Sequence, residues 1–118
     1  MLLEKPRIVE KPWGREIFLS CNEKYVMEIM EIRKGERTSL HLHKTRMETF
    51  YVLKGLLKVN NLVLREGAVV TVPPGEPHRL EALEDTVVVE CSTPEVDDIV
   101  RLEDDYGRVA RKSGNHTP

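Results

Sequence analysis

The chain has 118 residues, 40% of them apolar and 32% charged, with a net charge of -2. That length fits one compact domain, and no apolar stretch approaches the ~20 residues a membrane-spanning helix needs. Acids and bases are mixed along most of the chain, without the basic stripe of a nucleic-acid surface, so neither a membrane nor a nucleic acid is expected as a partner.

The opening residues Met1-Leu2-Leu3-Glu4-Lys5-Pro6 lack the basic start and long apolar run of an export signal. A cytoplasmic protein is therefore expected, with Cys21 and Cys91 reduced and buried rather than bridged. Residues 1–12 read as an N-terminal arm, extended from Leu2 to Pro12. Short β-prone runs follow at 16–19, 25–32, 38–42, 49–53, 56–59, 62–65, 69–72, 78–82 and 86–92. Turn residues separate them, among them Lys34-Gly35, Lys54-Gly55, Glu66-Gly67 and Pro73-Pro74-Gly75. Many short strands at close spacing predict an all-β antiparallel sandwich or barrel over residues 13–93. Asn60-Asn61 suits a two-residue hairpin, because Asn tolerates positive φ. After Pro94 the chain turns acidic, and Val96, Ile99, Val100 and Leu102 have nearly helical spacing. Residues 94–108 thus read as a short helix or turn against the barrel wall, and residues 109–118 as a disordered polar tail. One domain accounts for all 118 residues.

Three of the histidines and one glutamate stand out. His41 and His43 are two apart on a predicted strand, so both point to one face. Glu48 opens the next apolar run, and His78 follows a turn stiffened by Pro73 and Pro74. Three imidazoles and a carboxylate suit a borderline divalent transition metal. A His-x-His pair on an exposed strand is also common without a metal, and spacing alone leaves both readings open.

The spacing resembles the two motifs of the cupin superfamily. Gly35, five residues, His41-Leu42-His43, four residues, Glu48, six residues and Gly55 match the first motif. Gly67, five residues, Pro73-Pro74-Gly75, two residues and His78 match the second. The second motif usually closes on Asn where this chain has Ala82, a position that is not a ligand in the family pattern. The resemblance implies a small antiparallel cupin barrel, or jelly roll, with one metal held by His41, His43, Glu48 and His78. The flanks Lys11-Pro12-Trp13-Gly14, Gly35 to Leu40, Arg46-Met47-Glu48 and Asp97 to Arg108 resemble type II mannose-6-phosphate isomerase domains. That family is often fused behind a mannose-1-phosphate guanylyltransferase, and here a stand-alone domain is expected. The chain departs from it at His41, where the family usually has Gln, and at Phe50, near which it has Trp.

The resemblance implies metal-dependent interconversion of mannose 6-phosphate and fructose 6-phosphate, with zinc, manganese, nickel or iron as the metal. Strand parity puts Val26, Glu28, Met30 and Ile32 on an inward face, with Glu28 as its one charged member. Glu28 is then either the general base or half of an ion pair at the barrel mouth. Arg37, Lys44, Arg46 and Arg79 flank the ligand positions as candidate phosphate anchors, and Phe50 and Val52 are expected as pocket walls. A homodimer is expected, with the N-terminal arm and Trp13 as an apolar seam. Three other readings remain open: a non-catalytic or regulatory metal- or sugar-binding cupin, an iron-dependent oxygenase-type cupin, and a domain assisting a separate guanylyltransferase.

Overall fold

The computed structural model describes residues 1–109. Its strands are β1 (Arg7–Lys11), β2 (Gly14–Cys21), β3 (Val26–Ile32), β4 (Leu40–Leu42), β5 (Glu48–Lys54), β6 (Leu56–Val59), β7 (Leu62–Arg65), β8 (Val69–Val72), β9 (Leu80–Ala82), β10 (Thr86–Ser92) and β11 (Val100–Glu103). All pairings are antiparallel. One sheet runs β1-β2-β3-β10-β5-β8, and a second runs β7-β6-β9. Backbone bridges Arg37↔Glu81 and His41↔His78 carry the second sheet on to the β4–β11 pair. The two sheets face each other as a jelly roll.

The alternation read from the sequence sets the inner face. Val26, Glu28, Met30 and Ile32 of β3 are buried, as are Glu48, Phe50 and Val52 of β5 and Thr86, Val88, Glu90 and Ser92 of β10. Register then divides the interior into two ends. Glu90 pairs with Glu28 and Ser92 with Glu48, so the polar inward residues of three strands meet at one end. Ile32, Val52, Leu57, Leu80, Ala82 and Val88 form the apolar remainder. Each large apolar side chain there contributes about 1.5–3 kcal/mol on burial.

The turns follow their residues. Gly35, Gly55, Gly67 and Gly75 all take positive φ, and Asn60 does so at φ 53 in the β6–β7 hairpin. Gly14 is required for a different reason. A Cβ there would lie 1.8 Å from the Glu31 carbonyl oxygen, because β2 and β3 approach closely at that point.

Four expectations change. The arm is not free: its residues 7–11 form edge strand β1, because Ile8 and Val9 pair with Ile17 and Glu16 of β2. Trp13 is 3% exposed and belongs to the core, so it offers no seam. Cys21 and Cys91 are free thiols but exposed, since Cys91 falls on the outward parity of β10 and Cys21 ends β2. Finally, no helix occurs among the described residues. The segment after Pro94 turns and then becomes β11, whose Val100 and Arg101 pair with Leu42 and His41. The helical spacing there is outweighed by backbone pairing with the open edge of β4. The tail expected beyond residue 109 lies outside the described residues.

Candidate metal centre

His41 and His78 face each other across a backbone bridge, with His41 N–H donating to His78 O at 3.0 Å and His78 N–H to His41 O at 2.8 Å. Their rings lie 4.5 Å apart, and the His43 ring stands 5.1 Å from His41 and 5.3 Å from His78. Glu48, at the start of β5, completes the group. One ligand atom from each of the four residues falls within 4.8 Å of every other. The sequence-predicted ligands are therefore brought together, three of them fully buried.

A backbone carbonyl beside each Nδ1 assigns the neutral rings their tautomer. His41 Nδ1 donates to Ser39 O at 2.9 Å, His78 Nδ1 donates to Glu76 O at 3.0 Å, and His43 Nδ1 donates to Asp98 O. A neutral imidazole has one N–H, and each ring spends it on a backbone carbonyl. The Nε2 lone pairs are left facing inward, the arrangement by which such partners orient metal-ligating histidines. Glu48 Oε1 lies 2.9 Å from Nε2 of both His43 and His78. Lone pairs and a carboxylate oxygen at that distance repel unless a proton or a metal ion sits among them. His43 Nε2 is moreover buried without a hydrogen-bond partner. The residues present thus fit a divalent metal.

Electrostatics favour the metal-binding forms of His41 and Glu48. Burial, then the neighbouring His78 and His43, push His41 down to about 3, which keeps it neutral. Burial opposes ionisation of Glu48, but His43, His78 and Arg46 hold its carboxyl well below the usual range. Burial also pushes His43 down, yet the contact with Glu48 outweighs it and leaves that group raised. Neutral His41 and ionised Glu48 are thus already in the forms a metal takes, whereas His43 gives up its proton when a metal binds. Arg46 supports the site from behind: its guanidinium contacts Glu48 Oε2 at 3.5 Å, Glu90 Oε2 at 2.9 Å and Ser92 Oγ at 2.9 Å.

Three of the ligands, His41, His43 and Glu48, open into a cavity of about 320 Å³. Glu28 lies in its wall, 2% exposed, with one carboxylate oxygen lacking a partner. Burial and the nearby Glu16 push its carboxyl up to about 9. Of the candidate phosphate anchors, Arg46 lines the cavity. Arg37 lies outside it, paired with Asp105 at 2.7 Å, and Arg79 bonds Thr38 O at 3.0 Å and faces Glu103 and Asp105. Lys44 is exposed in the loop before Glu48. Phe50 and Val52 are core residues rather than walls of this cavity, because both are packed in the apolar cluster, with the Phe50 ring 6.2 Å from that of His78.

Sequence reasoning passed over the C-terminal segment as a source of site residues. Val96, Asp97, Ile99, Arg101 and Arg108 line the cavity. Asp98 matters most for geometry. Its carbonyl takes the His43 Nδ1 proton, while its carboxylate accepts the backbone N–H groups of Lys44, Thr45 and Arg46 at 2.9, 2.7 and 3.1 Å. It thereby holds the loop joining His43 to Glu48, and those bonds keep its own carboxyl far below the ordinary range. Asp98→Ala is expected to weaken metal affinity by ~10–100-fold, the usual cost of losing a group that orients ligands. Competition titration against a chelator measures it, and an unchanged affinity would show the loop to be rigid without Asp98.

A sequence profile described as the cupin domain matches residues 28–92, more than half of the chain. The chain is a cupin. This cupin is 35% identical over 112 residues to mannose-1-phosphate guanylyltransferase ManC of Salmonella typhimurium, a match that takes in 87% of the chain and 23% of that protein. It is 32% identical over 111 residues to xanthan biosynthesis protein XanB of Xanthomonas campestris pv. campestris, covering 86% of the chain and 24% of XanB. The cupin spans about a quarter of the length of these curated relatives. Among solved structures, an RmlC-like cupin from Shewanella frigidimarina superposes with a TM-score of 0.72 at 22% identity, over 83% of this chain and 92% of that one. That likeness is one of fold.

Proposed function

We propose that this cupin is a metal-dependent aldose–ketose isomerase acting on a phosphorylated hexose, of the mannose 6-phosphate and fructose 6-phosphate type. The observation that carries the reading is Glu28: a buried carboxyl with an unpartnered oxygen, in the same cavity as His41, His43 and Glu48. Such an isomerisation moves a proton between adjacent carbons and needs a carboxyl whose affinity for protons has been raised toward neutrality. The names of the relatives, which include a mannose-1-phosphate guanylyltransferase, support a sugar-phosphate substrate.

His41, His43, Glu48 and His78 hold one divalent transition metal: zinc, manganese, nickel or iron. When bound, it supplies positive charge to the sugar oxygen on which negative charge builds. Arg46 holds Glu48 ionised from behind. In its ionised form Glu28 accepts and returns the carbon-bound proton, and Trp13, Phe18 and Met30 supply apolar wall to the cavity that holds it.

The test is a coupled assay on mannose 6-phosphate, fructose 6-phosphate and glucose 6-phosphate, with zinc, manganese, nickel, cobalt and iron restored in turn. Isomerisation in at least one combination is expected. A full metal site with no activity in any of them would leave a metal- or sugar-binding module.

We also propose a cytoplasmic homodimer. Its seam is the outer face of the six-stranded sheet, where register aligns Ile8, Ile17, Ile29, Val89, Tyr51 and Val69 in one row across all six strands. Ile8 and Val69 are 54% and 61% exposed, and a contiguous row of apolar side chains suits an interaction surface. Light scattering at micromolar concentration is expected to give twice the chain mass, and Val69→Lys with Tyr51→Glu to give the chain mass. A monomeric parent protein ends the proposal.

A further inference from the structure

Five cationic side chains line the metal cavity: Arg7, Lys11, Arg46, Arg101 and Arg108. Three are neutralised. Arg46 is held by Glu90 and Glu48, Lys11 lies 3.4 Å from Glu16, and Arg108 grips Asp104 through Nε at 2.9 Å and Nη2 at 3.1 Å. The other two have no carboxylate partner among the described residues. Arg7 lies over the Phe18 ring, 4.7 Å from its centroid. Arg101 has a buried Nε with no acceptor. Burial and the like charge of Arg108 both work against the Arg101 cation. A buried charged donor without an acceptor is costly, so the fold keeps here a group that an anionic acceptor would satisfy.

Register places both charges along the walls that reach the metal ligands and Glu28. Arg101 of β11 is the cross-strand partner of His41. Arg7 is the partner of Phe18, which is in turn the partner of Glu28. We infer that Arg101 and Arg7 form an anion subsite for the phosphate of a phosphate monoester, seated so that the rest of the molecule extends toward the metal ligands. Two uncompensated guanidinium groups match a dianion, and their forked donors match phosphate oxygens. The sugar attached to that phosphate rests on the isomerase reading, while the anion subsite does not. The pairs Arg37–Asp105 and Arg79–Glu103 lie outside the cavity and already carry their counter-charges.

The test is calorimetric titration of the full chain with mannose 6-phosphate, inorganic phosphate, glucuronate and mannose, alongside metal analysis and thermal melts. Arg101→Ala and Arg7→Ala are each expected to weaken mannose 6-phosphate about 10-fold or more. Both should weaken inorganic phosphate as well, with metal content unchanged. Lys54→Ala, at the far end of β5 from Glu48, should match the parent. If Arg101→Ala melts early, Arg7→Ala on the exposed edge strand decides the matter alone. Unchanged affinity in the arginine variants overturns the subsite, as does a parent protein that binds neither phosphate. Equal losses for mannose, or glucuronate binding as well as mannose 6-phosphate does, overturn its phosphate selectivity. Phosphate binding through Arg101 without isomerisation retires the isomerase reading and leaves the subsite standing. Isomerisation with an unchanged KM in Arg101→Ala does the reverse.

Discussion

Replacing His41, His43 and His78 together by alanine is expected to take the protein from one divalent metal per chain to none, while the barrel stays folded. Three of the four ligand atoms leave with the imidazoles, and Glu48 retains its contact with Arg46. Loss of groups that merely orient a ligand already costs ~10–100-fold in affinity, so loss of the ligands themselves should exceed that. The fold survives because its apolar core lies elsewhere: Ile32, Val52, Leu57, Leu80 and Val88 are at most 2% exposed and none touches the metal group as a ligand. Elemental analysis reads the metal, and circular dichroism reads the barrel. One metal per chain in the triple variant would place the site elsewhere.

Glu28→Gln is expected to lower turnover by roughly 100-fold or more, the range for loss of a general acid–base group, with metal content unchanged. Glutamine keeps the shape of the side chain and cannot take up the proton. A second readout is independent of catalysis. The folded carboxyl is raised to about 9 from an ordinary 4.5, by burial first and then by Glu16. Between those values the folded protein keeps a proton that the unfolded chain has released, so stability falls as pH rises. In the metal-free protein, Glu28→Gln should therefore flatten the decline in denaturant midpoint between about pH 5 and pH 9. Parent-like turnover would remove Glu28 from the chemistry, and an unaltered pH slope would show that its carboxyl ionises normally.

The two variants separate what holds the metal from what moves the proton. Arg46 and Glu90 link these roles physically, since Glu90 faces Glu28 across the β10–β3 register and binds the same guanidinium that braces Glu48. The polar end of the barrel is thus one connected set of charges, and the apolar end stabilises the fold that carries it.

Much of this was legible in the residues themselves. Alternation with period two put Val26, Glu28, Met30 and Ile32 on one inward face, and the His41-Leu42-His43 spacing put two imidazoles on another. The glycines at 35, 55, 67 and 75 marked turns that require positive φ. These are local properties, because side-chain parity and backbone conformation depend on a residue and its near neighbours. Tertiary structure alone decided which cations face the cavity. Arg37 and Arg79 neighbour the ligands in sequence yet turn to Asp105 and Glu103, whereas Arg7 and Arg101 arrive from strands at opposite ends of the chain. Those strands, β1 and β11, exist by pairing with the open edges of β2 and β4, and Asp98 reaches His43 across 55 residues. No local period encodes such a pairing: an edge strand's partner is set by which backbone edge the folded barrel leaves unsatisfied.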